Sequence, residues 1–295
     1  MKIGVSSYSF YRYIKSNACD YIEICNKAKE MGFEGIEFID LDFADFGITT
    51  DPMKTATEIR EHCAKIGLEI IAYTIGANFL CEDQDAEVER VCRAIDVAQE
   101  LGAPVLRHDI ANSLTVISQN TGAVLKNDPL YSWREAVKDV APFIRRVTEY
   151  AKAKGIRTCS ENHGFIFQAP ETVETLIREV GSDNYGWLID MGNFLCADAE
   201  PSQAVHIASR YAFHVHAKDF LFKSGEEGNP GRYIQTNSGN FILGTVIGHG
   251  IVPVKKCINI LKKAGYDGYV SVEFEGWEDP ILAIQAGHDY LANII

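Results

Sequence analysis

Short runs of apolar and β-branched residues alternate, from one end of the chain to the other, with longer stretches in which apolar positions recur every three or four residues. A continuous apolar run bounded by turn residues predicts a buried parallel strand, and the three-to-four spacing predicts an amphipathic helix. Strands are expected at 2–7, 35–39, 68–74, 104–108, 156–161, 186–190, 212–217 and 269–274. Helices are expected near 20–31, 51–66, 85–101, 133–154, 170–181, 201–209, 254–264 and 279–293. Gly32, Gly67, Gly102, Gly155 and Gly265 each follow a helical stretch, where a left-handed residue ends a helix, and a strand follows soon after each. Such repeated units predict an α/β fold, a (β/α)8 barrel forming a single domain over residues 1–295. An open doubly wound sheet is the alternative, and the lack of a GxGxxG after the first strand weakens it.

Two connections, 109–132 and 218–253, far exceed the usual length of about 2–6 residues. They read as lids or specificity elements, or else as disordered insertions. The chain has 295 residues, 46% of them hydrophobic and 23% charged, which suits a large core. Its formal charge of −13 repels nucleic acid and anionic membranes, although a local basic pocket would still take one phosphate. No apolar run approaches the roughly 20 residues of a membrane span. The eight cysteines form no CxxC pair, and the N-terminus reads as a strand rather than a leader; both point to reduced thiols and a cytoplasmic protein.

The candidate chemistry lies at strand ends. Glu161, Asp190, His216 and Glu273 close the fifth to eighth strands, in IRTCSENHG, YGWLIDMGN, AFHVHAKD and GYVSVEFEG. In a barrel these ends form the catalytic face, so the four side chains approach one point. Three carboxylates and one imidazole suit Mn²⁺, Mg²⁺ or Co²⁺ better than a thiolate-type zinc site. His163, two residues after Glu161, either binds a substrate hydroxyl or holds a ligand in place. His108 is a candidate acid/base or substrate contact, with a surface position as the alternative. Glu37 either holds a substrate hydroxyl or is a buried polar group paired with a neighbouring strand, and His214 reads as structural. Tyr8, Tyr73, Asn78, Phe194 and Trp277 stand near strand ends as rim residues.

MKIGVSSYSF, GFEGIEF, GLEIIAYT, SENHG, DMGN, HVHAKD and VSVEFEG, in this order and spacing, resemble the strand-end segments of the xylose isomerase-like TIM-barrel superfamily, in its sugar phosphate isomerase/epimerase family. The resemblance implies that Glu161, Asp190, His216 and Glu273 hold one divalent ion, Mn²⁺ preferred, with Mg²⁺, Co²⁺ or Zn²⁺ as other occupants. It also implies that Glu161 and Glu273 are the catalytic acid/base pair. Such chemistry needs a base, an acid and a charge to hold an enediolate, which two carboxylates and a divalent ion supply. Lys218 and Asn193 stand where ketose 3-epimerases of the superfamily commonly carry Arg and His, and both become substrate-binding candidates. Arg232, in the long 218–253 connection, is another.

The expected activity is divalent-metal-dependent isomerisation or epimerisation of a sugar, sugar phosphate or keto-sugar, by proton transfer through a metal-bound enediolate. A keto-inositol-type dehydratase or other lyase on the same site is the alternative. An apurinic endonuclease is opposed by the charge and by the missing extra ligands on the early strands, and a non-catalytic sugar-binding protein by the intact ligand set. Expected partners are a small sugar, keto-sugar or cyclitol, with no nucleic acid and no membrane; the helical exterior would also support a homo-oligomer.

Overall fold

The structure is a computed structural model that describes residues 1–42, 47–48, 51–117 and 124–295. Eight parallel strands close into a barrel: β1 Lys2–Ser6, β2 Gly35–Ile39, β3 Glu69–Ile75, β4 Val105–His108, β5 Arg157–Glu161, β6 Tyr185–Asp190, β7 Ala212–Ala217 and β8 Tyr269–Val272. Each pairs with its neighbours in sequence, and β1 closes the ring on β8 with Val5 opposite Val272. The expected (β/α)8 barrel is therefore what the chain forms.

The outer helices start and stop where their sequences direct. Asp20 with Glu23 and Ser132 with Glu135 build capping boxes, and Pro52, Pro170, Pro201 and Pro280 occupy first-turn positions that need no N–H donor. Helix Trp133–Ala153 shows how a helix seats on the barrel. Its Val137, Val140, Ile144, Val147 and Ala151 are buried at alternating spacings of three and four, so one stripe faces the sheet. Burying each of the larger side chains contributes about 1.5–3 kcal/mol. Inside the ring, Ala72, Val105, Cys159 and Leu188 form a separate apolar plug beneath the open end. This plug fixes the floor on which the polar side chains at the strand ends rest.

The connection after β7 is not an irregular loop. Asp219–Lys223, Phe241–Thr245 and Ile234–Gln235 form an antiparallel sheet. Asp219 fastens both ends of it, its carboxylate accepting from the N–H groups of Phe220, Gly248, Gly250 and Val252 at 2.9–3.0 Å. The turn between the sheet's strands is tied down by Asp198, which accepts from Thr236, Ser238 and Asn240. The 109–132 connection includes the pair Val116–Ile117 and Val124–Lys126; residues 118–123 of that connection lie outside the described residues. Among the described residues, no helix is long and apolar enough to cross a membrane.

Candidate metal centre

Asp190 ends β6, and the DMGN segment turns sharply around it. Its Oδ1 accepts from the N–H groups of Gly192 and Asn193, both at 2.8 Å, and this leaves Oδ2 aimed into the barrel mouth. The turn needs glycine for space. A Cβ on Gly192 would come within 2.9 Å of the Phe220 ring and 3.0 Å of the Lys218 carbonyl oxygen.

Glu161, at the end of β5, has both oxygens held. Asn193 Nδ2 donates to Oε1 at 2.8 Å, and the Arg107 guanidinium lies 2.8 Å from Oε2. Arg107 also pairs with Asp109 at 2.6 Å, so one cation links two carboxylates on the β4 side. Burial pushes the Glu161 carboxyl upward, and although Arg107 opposes this, the net position is above the ordinary value.

His216, on β7, presents Nδ1 to the centre: 3.3 Å from Glu273, 3.8 Å from Asp190 and 3.9 Å from Glu161. Its other nitrogen stands 2.7 Å from Glu37 on the opposite side of the barrel interior. The second oxygen of Glu37 meets His214 at 2.5 Å, and His214 also bonds Ser271 Oγ at 3.0 Å. Glu37, His214 and His216 are themselves close enough to be considered as ion ligands. Their separations are hydrogen-bond lengths, however, with no room for an ion between them. The arrangement instead matches a carboxylate that orients a ligating imidazole. Although burial raises the Glu37 carboxyl, the two imidazoles outweigh it and hold the group well below the carboxylate range.

Glu273 follows β8 directly and faces Lys218. The ammonium lies 2.6 Å from Glu273, 3.2 Å from Glu275 and 3.3 Å from both Asp190 Oδ2 and Asn193 Oδ1. Burial raises the Glu273 carboxyl, but Lys218 and His216 overcome it and place it well below its ordinary value. Glu161 and Glu273 are thus displaced in opposite directions, the usual mark of two carboxylates with separate duties.

The ligand atoms of Glu161, Asp190, His216 and Glu273 all lie within 4.8 Å of one another. Atoms each about 2.1 Å from a shared ion stand about 3 to 4 Å apart, which is how Nδ1 of His216 stands to the three carboxylates. Among the described residues, Asp190 Oδ2 and His216 Nδ1 are buried and make no well-aligned hydrogen bond, their nearest ion pairs being to Lys218 and Glu273, respectively, at 3.3 Å. Buried polar atoms are seldom left so, and two aimed at one point are what an ion would satisfy. The residues fit a divalent cation.

Above this floor lies a cavity of about 250 Å³, lined by Tyr8, Asp40, Thr74, Arg107, Asp109, His163, Lys218 and Glu275 together with three of the four clustered residues. Of the expected substrate contacts, His163 and Lys218 line it. His163 is half-exposed, with Nδ1 3.1 Å from Asp109. His108 is a correction. It is fully buried outside the ring against Phe79 and Tyr185, because the inward position on β4 belongs to Arg107, in register with Cys159 of the plug. Glu37 is corrected to its alternative, a buried group bridging two imidazoles below the cavity. Asn193 is also corrected: it is buried beneath the carboxylates, with Nδ2 on Glu161 and Oδ1 near Lys218. Arg232 stands at the rim, its guanidinium 3.7 Å over the Trp277 ring. The sequence reading passed over Arg107, Asp109, Asp40 and Glu275 as contacts. Only the second acid of EFEG pointed to any of them.

A closed eight-stranded barrel with an oxygen-rich cluster at the C-terminal strand ends defines the class as a TIM barrel whose mouth carries a candidate metal-ligand set. Residues 25–294 match the xylose isomerase-like TIM barrel family, and the chain belongs to that family. It is 25% identical to the inosose dehydratase of Glaesserella parasuis serovar 5 (strain SH0165) over 227 residues, 74% of this chain and 72% of that one. The probable 3-DHS dehydratase AsbF from Bacillus anthracis superposes with a TM-score of 0.74 at 18% identity, covering 99% of both chains. The 3-keto-D-glucoside 4-epimerase YcjR from E. coli superposes at 0.68 with 19% identity, again over 99% of both chains. At such identities these two solved structures speak for the fold.

Proposed function

We propose that the chain is a divalent-metal-dependent enzyme that removes the proton next to the carbonyl of an uncharged keto-polyol, a keto-inositol or keto-sugar, and then expels water from the neighbouring carbon. The observation that carries this reading is the meeting, on one cavity floor, of four potential ligands and a buried ammonium, that of Lys218. Glu161, Asp190, His216 and Glu273 would hold the ion. When bound, it supplies positive charge for the substrate oxygen that becomes negative as the proton leaves.

The remaining steps belong to side chains. Glu161, its carboxyl raised by burial, is the base that takes the proton from carbon. Arg107 keeps its carboxylate in place through Oε2. Lys218 donates to the leaving hydroxyl, which departs as water, and Glu273 and Glu275 hold the ammonium ready. The lining favours a neutral substrate: with Asp190 beneath them, the carboxylates of Asp40, Asp109, Glu161, Glu273 and Glu275 outnumber Arg107, Lys218 and the two charges a divalent ion would add. The relationship to an inosose dehydratase supports the elimination outcome.

Epimerisation is the second reading, favoured by the convergence of Glu161 and Glu273, one able to remove a proton and the other to return it. One experiment separates the two. Metal-loaded enzyme is incubated in D₂O with a panel of keto-inositols and keto-sugars, and products are followed by mass and ultraviolet absorbance. Elimination gives an unsaturated product lighter by water; epimerisation gives an isomer of unchanged heavy-atom composition carrying deuterium. The absence of both a product lighter by water and a deuterated isomer with every panel member, or an isomer formed without solvent deuterium at the inverted carbon, would overturn the proposal.

A further inference from the structure

A second cavity of about 210 Å³ opens beside the first, and Tyr8 and Glu275 line both. Its character is different. Tyr8, Tyr11, Phe274 and Trp277 supply most of its wall, with Arg12 at the edge. Tyr8 and Tyr11 stack with ring centroids 6.0 Å apart, so they present one continuous aromatic surface. Trp277 is half-exposed, although a large apolar side chain normally gains most from burial.

The trough is a built feature. Ser9 Oγ accepts from the Phe274 N–H at 2.9 Å and donates to the Val272 carbonyl at 3.1 Å, stitching the segments after β1 and β8 together. Arg12 donates to the carbonyls of Gly276 and Glu278, both at 2.8 Å, and so fixes the backbone on either side of Trp277. Arg232 reaches over from the connection after β7 and stacks on the indole. Three separate parts of the chain hold an aromatic surface at the mouth of a charged cavity.

We infer that the substrate is larger than a single polyol ring: it carries a second group with a flat apolar face, joined as a glycoside, which lies in the trough against Trp277 and Tyr11. This rests on the proposed reading for the ring in the charged cavity. A polar ring pairs with the carboxylates, Arg107 and Lys218, while a sugar's C–H face or a planar aglycone pairs with the aromatic wall. A cavity of about 250 Å³ falls below the range of about 300–1,000 Å³ for complete ligand sites, and the two spaces together fall within it.

The test measures binding rather than turnover, by titration calorimetry on metal-loaded protein with phenyl β-D-glucoside, cellobiose, methyl β-D-glucoside and myo-inositol. At least one of the first two is expected to bind about tenfold tighter than methyl glucoside. Preference for the phenyl compound assigns a planar aglycone, and preference for cellobiose a second sugar. Trp277→Ala, at a half-exposed position that leaves the core intact, should abolish the preference and leave inositol binding unchanged; circular dichroism verifies the fold. Equal affinity for all three glucosides, or a preference that survives both Trp277→Ala and Tyr11→Ala, overturns the inference. Failure of every keto-polyol to react, alongside a preference that depends on Trp277, overturns the reaction and supports the trough.

Discussion

Replacing Glu37 with Gln tests whether the centre depends on a group that never touches the ion. The carboxylate is completely buried and spans His216 at 2.7 Å and His214 at 2.5 Å. A carboxylate accepts and does not donate, so it draws the His216 hydrogen to the nitrogen it faces and leaves Nδ1 for a cation. Gln fills nearly the same volume but has no charge and one acceptor for two imidazoles: with its N–H₂ toward His216 the hydrogen is driven onto Nδ1, the atom 3.3–3.9 Å from the three carboxylates, and with its carbonyl there the imidazole still loses the anion that raises its basicity. Loss of such an orienting partner typically lowers metal affinity 10- to 100-fold, or about 1.4–2.7 kcal/mol. Because Glu37 is completely buried and holds two imidazoles, the upper end is expected. Removing one member of a buried charged group also costs the fold up to about 3–5 kcal/mol. Mn²⁺ titration calorimetry gives the affinity, and thermal unfolding of the metal-free variant gives the stability separately. A variant that stays folded and binds Mn²⁺ within threefold of the parent would refute the orienting role.

Asp190→Asn keeps the acceptor for the Gly192 and Asn193 N–H groups but removes the charge that faces Lys218 at 3.3 Å; metal content after dialysis should collapse, with the barrel still folded by circular dichroism but less stable. Gly192→Ala should destabilise the chain by about 1–3 kcal/mol through overpacking against Phe220 and the Lys218 carbonyl, measured by denaturant unfolding. His108 gives a pH signature. Burial pulls its imidazole down to about 4, so between that value and the unfolded one near 6.5 the unfolded chain holds the extra proton. Stability then falls by about 1.4 kcal/mol per unit as pH drops through this window, and His108→Gln should flatten that limb of the unfolding profile. Chelation with EDTA should lower the melting temperature of metal-loaded protein, and excess Mn²⁺ should restore it; equal melting temperatures before and after chelation would argue against a bound ion.

Much of the barrel could be read from the chain because each strand is a short apolar run and each helix carries its own stop signal. Gly67 and Gly102, for example, have the left-handed φ of 68° and 82° that the pattern requires. The four clustered residues were legible because each closes a run. What the sequence hid was the direction of side chains in the four-residue strand β4. Val105–His108 has no polar–apolar alternation, so Arg107 and His108 were equally good inward candidates until register with Cys159 separated them. Glu37 was ambiguous for a related reason: its partners His214 and His216 lie far away in sequence, and pairing across the ring leaves no local trace. The antiparallel sheet after β7 was missed because Ile234–Gln235 and its neighbours are too short to set a period against the polar turns between them.

Asp219 gives that sheet an architectural independence. By gripping the N–H groups of Phe220, Gly248, Gly250 and Val252, it clamps the start and finish of the excursion to one carboxylate, immediately beside Lys218. Whatever lies between the clamped ends can be lengthened, shortened or exchanged without transmitting a shift to the ammonium or to β7. The segment is in effect a cassette plugged into a fixed socket. Grafting the corresponding stretch from another barrel between Lys223 and Phe241 would re-cut the rim around Trp277 while the floor keeps its shape, and a lineage could diversify its ligands by the same route.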